Sequence, residues 1–338
     1  MSQTPVRFAG ILGVGSYVPE TILSNDELAA RIDTNDEWIV SRTGIQERRI
    51  ASATQATSDL AILAARRALE HSQTEPHELD LIVVATCTPD HPGSFPSTAS
   101  IVQAQLGACN AAAFDVGAVC AGFAYAMHIA AQMVLSGANR RVLVIGAETL
   151  SSIVNWDDRN TAVLFGDGAG AAVIGPVSRG GYLGGYLGAD GNGGPLLNVT
   201  KGCPRRPSTS SDCSEPRNTI SQNGKEVYKF AVSIMGEAAL KAMSSVGKLP
   251  EEIDWFVPHQ ANIRIIAKAA ERIGMPLSKV FVNLQKYGNT SAASIPIALD
   301  ELARSGNLTS DQIVVLVGFG AGLTWGANVI QWNPEAKI

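Results

Sequence analysis

The stretch from Ala112 to Gly137, "AAFDVGAVCAGFAYAMHIAAQMVLSG", decides how this chain is read. Its opening, "AAFDVGAV", has the apolar character of a strand. Its continuation, "AGFAYAMHIAAQMVLSG", contains no Asp, Glu, Lys or Arg and predicts a buried helix. A single cysteine, Cys120, stands between the two. The same order returns in the second half, where "KVFVNLQKYG" (279–288) reads as a strand and "SAASIPIALDELARSG" (291–306) as a helix.

Working outward, the echo extends over the chain. Upstream of the first stretch, "SDLAILAARRALEHS" (58–72) predicts a helix and "LDLIVVATCTPD" (79–90) a buried parallel strand with its exit loop. Their counterparts are "AVSIMGEAALKAMSSVG" (231–247) and "IDWFVPHQAN" (253–262). Helices "STASIVQAQLGA" and "ANIRIIAKAAERIGM" follow, and "RRVLVIGAETL" (140–150) and "DQIVVLVGFGAG" (311–322) read as the last strands. Strands alternating with helices imply right-handed βαβ units with helices on both sheet faces. The reading is therefore α/β, with two duplicated βαβαβ-type halves spanning 1–178 and 179–338.

Composition narrows the class. The 338 residues are 46% hydrophobic and 17% charged, enough for a large core. A net charge of −5 argues against a surface built to attract nucleic acid. The amino-terminal "MSQTPVRFAG" lacks the pattern of a secretory signal, and glycines and polar side chains interrupt the two long charge-free runs, 116–139 and 312–334. No membrane span is expected, and the expected location is cytoplasmic. Five cysteines without a CxxC pair fit neither a disulfide framework nor a structural zinc site; Cys203 and Cys213 flank a polar segment expected to be an exposed loop.

If the halves are equivalent, the loops before "AGFAYAM" and "SAASIPIA" correspond, which places Cys120 and Asn289 at matching positions. His259 ends another second-half strand. Ligands of α/β sheets bind beyond the carboxyl ends of strands, so the three side chains are expected to meet there. A helix amino terminus favours thiolate through its partial positive charge and unpaired N–H groups, which is the help expected for Cys120. Taken singly, each residue has an ordinary meaning: a small buried cysteine, a satisfied histidine, a capping asparagine. The turn "GFGAG" (318–322) reads as a tight loop, and "FGDGAGAA" misses a dinucleotide fingerprint at Ala171. HExxH and GxSxG motifs are absent from the sequence.

Together, "AVCAGFAYA", "VPHQANIRII", "YGNTSAASIP" and "GFGAGLTWGA" resemble the thiolase-fold condensing enzymes, and more narrowly the β-ketoacyl-acyl-carrier-protein synthase III family. The resemblance runs from "GVGSYVPE" through "DEWIVSRTGIQERR" and "FGDGAGAAV" to the last strand. Elongating condensing enzymes pair the cysteine with two histidines, and thiolases with a histidine and a second cysteine; the asparagine of "GNTSAAS" favours the initiating class. Plant-type polyketide synthases share Cys-His-Asn, but their glycine turn usually carries proline where Ala321 stands.

The resemblance implies a layered α/β/α/β/α thiolase-like fold, a homodimer, and no metal or redox cofactor. It implies an acyltransferase that condenses an acyl-CoA primer, expected to be acetyl-CoA, with malonyl-acyl carrier protein to start fatty acid synthesis. Branched or longer primers stay open, since one pocket methylene shifts preference by only ~1 to 3 kcal/mol. Cys120 would carry the acyl group, and His259 and Asn289 would hold the enolate oxygen formed on decarboxylation. Backbone N–H groups of Cys120 and Ala321 would hold the oxyanion. Trp38 and Arg42 would grip the adenine of CoA, with Arg159 on its other side and Gly224 lining the tunnel. The basic stripe Arg264, Lys268 and Arg272 would meet the carrier protein, and the Phe95 loop would cross the dimer interface to shape the partner's acyl pocket. Two other readings compete: a specialised relative priming a polyketide or other secondary metabolite, and a non-catalytic carrier-protein-binding partner, against which the intact Cys120, His259 and Asn289 argue.

Overall fold

A computed structural model describes residues 8–199 and 219–338. The Cys203–Cys213 segment lies outside the described residues. In chain order the first half forms β1 (Ala9–Tyr17), β2 (Thr21–Ser24), α1 (Asn25–Ala29), α2 (Asp36–Thr43), β3 (Glu47–Ile50), α3 (Thr57–Ser72), β4 (Leu81–Ala85), α4 (Thr98–Leu106), β5 (Ala112–Val116), α5 (Gly122–Leu135), β6 (Val142–Glu148), α6 (Arg159–Ala162) and β7 (Gly168–Pro176). The second continues with β8 (Gly181–Ala189), β9 (Leu197–Val199), β10 (Ile220–Gln222), α7 (Gly224–Ser245), β11 (Trp255–Pro258), α8 (Ile263–Arg272), α9 (Leu284–Tyr287), α10 (Ser294–Arg304), β12 (Ile313–Gly320) and β13 (Thr324–Gln331).

Two main sheets result, ordered β1-β7-β6-β4-β5 and β11-β12-β13-β8. In each, the central strands pair in parallel, β4 with β5 and β6, and β11 with β12. The charge-free sequence of α5 has a physical cause. Phe123, Ala126, Met127, Ala130 and Ala131 are fully buried in a cluster that also holds Ile295 and Leu299 of α10 and strand residues of both sheets. Burying a side chain such as Phe123 or Met127 contributes about 1.5–3 kcal/mol. Helices α5 and α10 thus form the middle layer. Helices α3 and α4 pack on the outer face of the first sheet, and α7 and α8 on that of the second. The layers are the expected α/β/α/β/α.

Three details differ from the sequence reading. Each half adds an antiparallel strand, β7 or β13, that folds back on β6 or β12, so both sheets are mixed. The glycines and alanines of "GAGAAVIGP" and "TWGANVIQ" hide these strands from an apolar-run argument. The expected strand at 279–288 shrinks to one parallel bridge, Phe256 to Val280, followed by α9. Gln260 explains this: its side-chain oxygen accepts the Asn283 N–H at 3.0 Å while its amide donates to the carbonyls of Pro258 and Phe281. A side chain therefore occupies the place of the ladder. Finally, the expected pairing of Cys120 with Asn289 is out by three residues. Short 3₁₀ turns precede both central helices, at Val119–Ala121 and Ser291–Ala293, and make Ala292 the counterpart of Cys120 and Gly117 that of Asn289.

Candidate active site

Val119 holds φ at 47° and Ser291 at 48°, an uncommon left-handed conformation for side-chain-bearing residues and a strained one for branched valine. These bends turn the chain from strand exit to helix start, across the ends of the sheets. Two close approaches hold the turns in place. A Cβ on Gly320 would lie 2.6 Å from the Cys120 backbone nitrogen, and one on Gly146 would lie 2.1 Å from the Ala292 carbonyl oxygen, so neither strand position admits a side chain.

Cys120, His259 and Asn289, from three separate loops, line one cavity of about 280 Å³ together with Ala321 and Gly224. Leu150, Ile153, Phe165, Ile220 and Phe319 supply much of its apolar wall. The cavity opens past Leu164, Gln222, Gly224 and Asn262 into a wider mouth that includes Trp38 and Arg42. Arg159 does not line that mouth. Its guanidinium lies 4.8 Å from the Trp38 ring centroid and bonds the Asp33 carbonyl, while Arg42 sits 4.5 Å from the same ring. Fully buried Arg48 braces these walls by donating to the Leu23 and Val163 carbonyls and to Asn25 Oδ1.

Both side-chain amphoteric groups are oriented. Asn289 Oδ1 accepts the Ser291 N–H at 2.8 Å, which leaves its amide NH₂ as the group offered to the cavity. His259 is 1% exposed, its Nδ1 lies 2.6 Å from Ser294 Oγ, and its ring meets Phe319 edge-on. Burial lowers its pKa to about 3, so the imidazole is neutral at working pH.

Burial pushes Cys120 up to about 12; the Ser291 hydroxyl and the cysteine's own N–H pull it down, and the charge of Glu148 adds to the rise. With its pKa raised this far, the resting nucleophile is a thiol. Because thiolate is then the minor form, alkylation of Cys120 by iodoacetamide is expected to accelerate about tenfold per pH unit between about pH 6 and about pH 9. A plateau inside that window would contradict the raised pKa.

The sequence reading missed the groups beneath the nucleophile. Glu148, fully buried at the end of β6, accepts from Thr88 Oγ1 at 2.5 Å, from the N–H groups of Cys87 and Thr88, and from the Cys87 thiol at 3.3 Å. Burial raises its pKa despite these donors. Cys87 lines the cavity, and burial and Glu148 hold its thiol well above the usual range. A lone acid inside "VLVIGAETL" was the available signal. The "GFGAG" turn is also shorter than expected: Gly318–Gly320 belong to β12, and the turn proper is 321–323. Phe95 stands outside the cavity, 89% exposed in the loop after β4. Arg264, Lys268 and Arg272 are exposed on α8 but engaged: Arg264 donates to the Ser41 carbonyl, Lys268 pairs with Glu271 at 2.6 Å, and Arg272 bonds Ser233.

A five-layered thiolase fold with cysteine, histidine and asparagine around one apolar cavity defines a condensing enzyme. The family model for 3-oxoacyl-[acyl-carrier-protein (ACP)] synthase III matches residues 114–191, and that for its C-terminal part matches residues 243–332. The β-ketoacyl-[acyl-carrier-protein] synthase III of Caldanaerobacter subterraneus subsp. tengcongensis is 56% identical over 326 residues, 96% of this chain and 98% of that one. Among solved structures, the synthase III from Thermus thermophilus is 48% identical with a TM-score of 0.90, covering 96% of this chain and 99% of its own. The priming β-ketosynthase of the R1128 polyketide pathway is 39% identical, also at 0.90, over 99% of both chains. This chain belongs to the β-ketoacyl-acyl-carrier-protein synthase III family.

Proposed function

We propose that the chain primes fatty acid synthesis by condensing acetyl-CoA with malonyl-acyl carrier protein, losing CO₂. The observation that carries this reading is the meeting of Cys120, His259 and Asn289 in one cavity, with the asparagine amide turned inward. In the first step the Cys120 sulfur attacks the primer thioester and CoA leaves as a thiol. The proton lost by Cys120 is the one CoA gains, so no group of the enzyme changes charge overall. In the second step the malonyl thioester sheds CO₂, and its enolate oxygen is held by His259 Nε2–H and the Asn289 amide. The enolate carbon attacks acyl-Cys120, whose oxyanion sits on the backbone N–H groups of Cys120 and Ala321; as it collapses the C–S bond breaks, and the Cys120 thiolate takes one proton from water to return to the thiol. This chemistry uses the chain's own groups and no cofactor. The Caldanaerobacter synthase III, at 56% identity, stands nearer than the polyketide priming enzyme at 39%, which supports fatty acid synthesis over a secondary pathway. Weighing the intact chain after incubation with a panel of acyl-CoAs tests the reading: one acetyl group is expected, a dominant longer or branched adduct would reassign the primer, and no adduct from any member would contradict an acyl-enzyme.

The mouth suits CoA, with the Trp38 ring a platform for adenine and Arg42 its partner, Arg159 packed on the same ring outside the mouth, and Gly224 leaving width for the pantetheine arm. The carrier protein docks beside it. Arg264 is the nearest of the three basic side chains to that mouth, two residues from Asn262 and bonded to the Ser41 carbonyl, whereas Lys268 already has Glu271 as counter-ion. Arg264→Glu is therefore expected to weaken use of malonyl-carrier protein severalfold more than Lys268→Glu, with primer loading little changed in both. Equal losses in the two half-reactions would put the docking surface elsewhere.

Assembly as a homodimer is part of the same reading. Strand β5 is a sheet edge, its Phe114 is 36% exposed, and Phe95 stands outward from the neighbouring loop. Light scattering is expected to give twice the chain mass, and a monomeric mass would contradict it. No helix among the described residues is long and apolar enough to cross a membrane. With CoA and a carrier protein as substrates, the reaction belongs in the cytoplasm.

A further inference from the structure

Whether a neutral imidazole can donate into the cavity depends on which of its nitrogens carries the proton, and a single hydroxyl settles that. Ser294, the first residue of α10, is 2% exposed. Its Oγ lies 2.6 Å from His259 Nδ1 and 3.4 Å from the Gln260 backbone nitrogen. A serine hydroxyl has one proton and two lone pairs. The Gln260 N–H can only donate, so it takes a lone pair. If Nδ1 were protonated it would take the other, and the hydroxyl proton would be left buried with no acceptor among the described residues. Satisfying every group requires the hydroxyl to donate to Nδ1. The imidazole proton then sits on Nε2, at the end of the ring away from Ser294.

We propose that Ser294 is a positioning residue that locks His259 in the Nε2–H tautomer, so that a neutral imidazole donates to the developing enolate oxygen. This rests on the assignment of His259 to enolate stabilisation. The two donors of the site are set by the two ends of one short segment, "SAAS" (291–294): the backbone of Ser291 turns the Asn289 amide, and the side chain of Ser294 fixes the His259 proton. Burial keeps the ring neutral, which makes the tautomer rather than the charge the variable that matters.

The test joins a spectrum to two rates. In protein labelled with ¹⁵N-histidine, the His259 signals are assigned among the five histidines by their loss in His259→Gln. The parent is expected to show Nε2 protonated and Nδ1 bare. Ser294→Ala is expected to bring in the Nδ1–H form and to slow CO₂ release from malonyl-carrier protein by up to ~10²-fold, the scale of one lost oxyanion donor. Acetylation of Cys120 should continue, and Ser294→Thr, which keeps the hydroxyl, should restore both spectrum and rate. An Nδ1–H parent overturns the proposal without any Ser294 variant. So does a Ser294→Ala protein that keeps the Nε2–H form, whether its CO₂ release is unchanged or falls in step with acetylation. Failure of the underlying assignment looks different: the parent is Nε2–H, yet His259→Ala releases CO₂ at the parental rate.

Discussion

Incubated with acetyl-CoA, Cys120→Ala is expected to keep its unmodified mass, while the parent gains one acetyl group. The sulfur of Cys120 is the group that bonds to the acyl carbon, and the cavity's other thiol cannot replace it. Cys87 is held by Glu148 through an S–H···O bond of 3.3 Å, and burial together with that carboxylate keeps it protonated. The substitution removes one sulfur from a turn flanked by Ala118 and Ala121, a change costing on the order of 1 kcal/mol, so the fold should persist. Unchanged circular dichroism and melting behaviour would show that the loss is chemical. An adduct on the variant would move the nucleophile elsewhere, and peptide mapping would say whether Cys87 had taken over.

The second large effect separates the two half-reactions. In His259→Ala and Asn289→Ala, acetyl-Cys120 should still form, because loading uses the thiol and the backbone N–H groups around it. Release of CO₂ should fall by ~10²-fold or more in each, since each loses one donor to the enolate. Both residues are buried, His259 at 1% and Asn289 at 8% exposure, so water does not easily replace what is lost. Because His259 is neutral, with its pKa lowered to about 3, CO₂ release should show no histidine titration step between about pH 5 and about pH 8. A variant that releases CO₂ at the parental rate but no longer accepts acetyl would belong to thiol activation instead.

Much of this architecture is legible in the sequence because buried layers leave periodic marks. The uncharged run after Cys120 reads as a helix with a wide buried face, and "LIVVA" and "IVVLV" read as strands covered on two. What stayed hidden has physical causes. Strands β7 and β13 are rich in glycine and alanine, so their apolar area per residue is too small to stand out. The segment at 279–288 has strand-like residues, but one glutamine side chain outcompetes the ladder for its backbone groups. At the site, Cys120, His259, Asn289 and Ala321 were recognisable from their motifs. Their supports were not: Glu148, Cys87 and Ser294 act through contacts between residues far apart in sequence, such as the 62 positions between Thr86 and Glu148. The raised thiol pKa was equally hidden, since a helix start is visible in a sequence and burial by a neighbouring half is not.

In the proposed reaction one chain carries the acyl group on Cys120 and passes it to a carbanion made in the same cavity. The most direct measurement is a single turnover: acetyl-enzyme, freed of CoA, is mixed with malonyl-carrier protein labelled at the free carboxylate. The mass of the enzyme should fall by one acetyl group as labelled CO₂ and acetoacetyl-carrier protein appear in equal amounts and at one rate. Release of CO₂ with the acetyl group still on Cys120, and acetyl-carrier protein as the product, would show that decarboxylation and acyl transfer are not the coupled reaction described here.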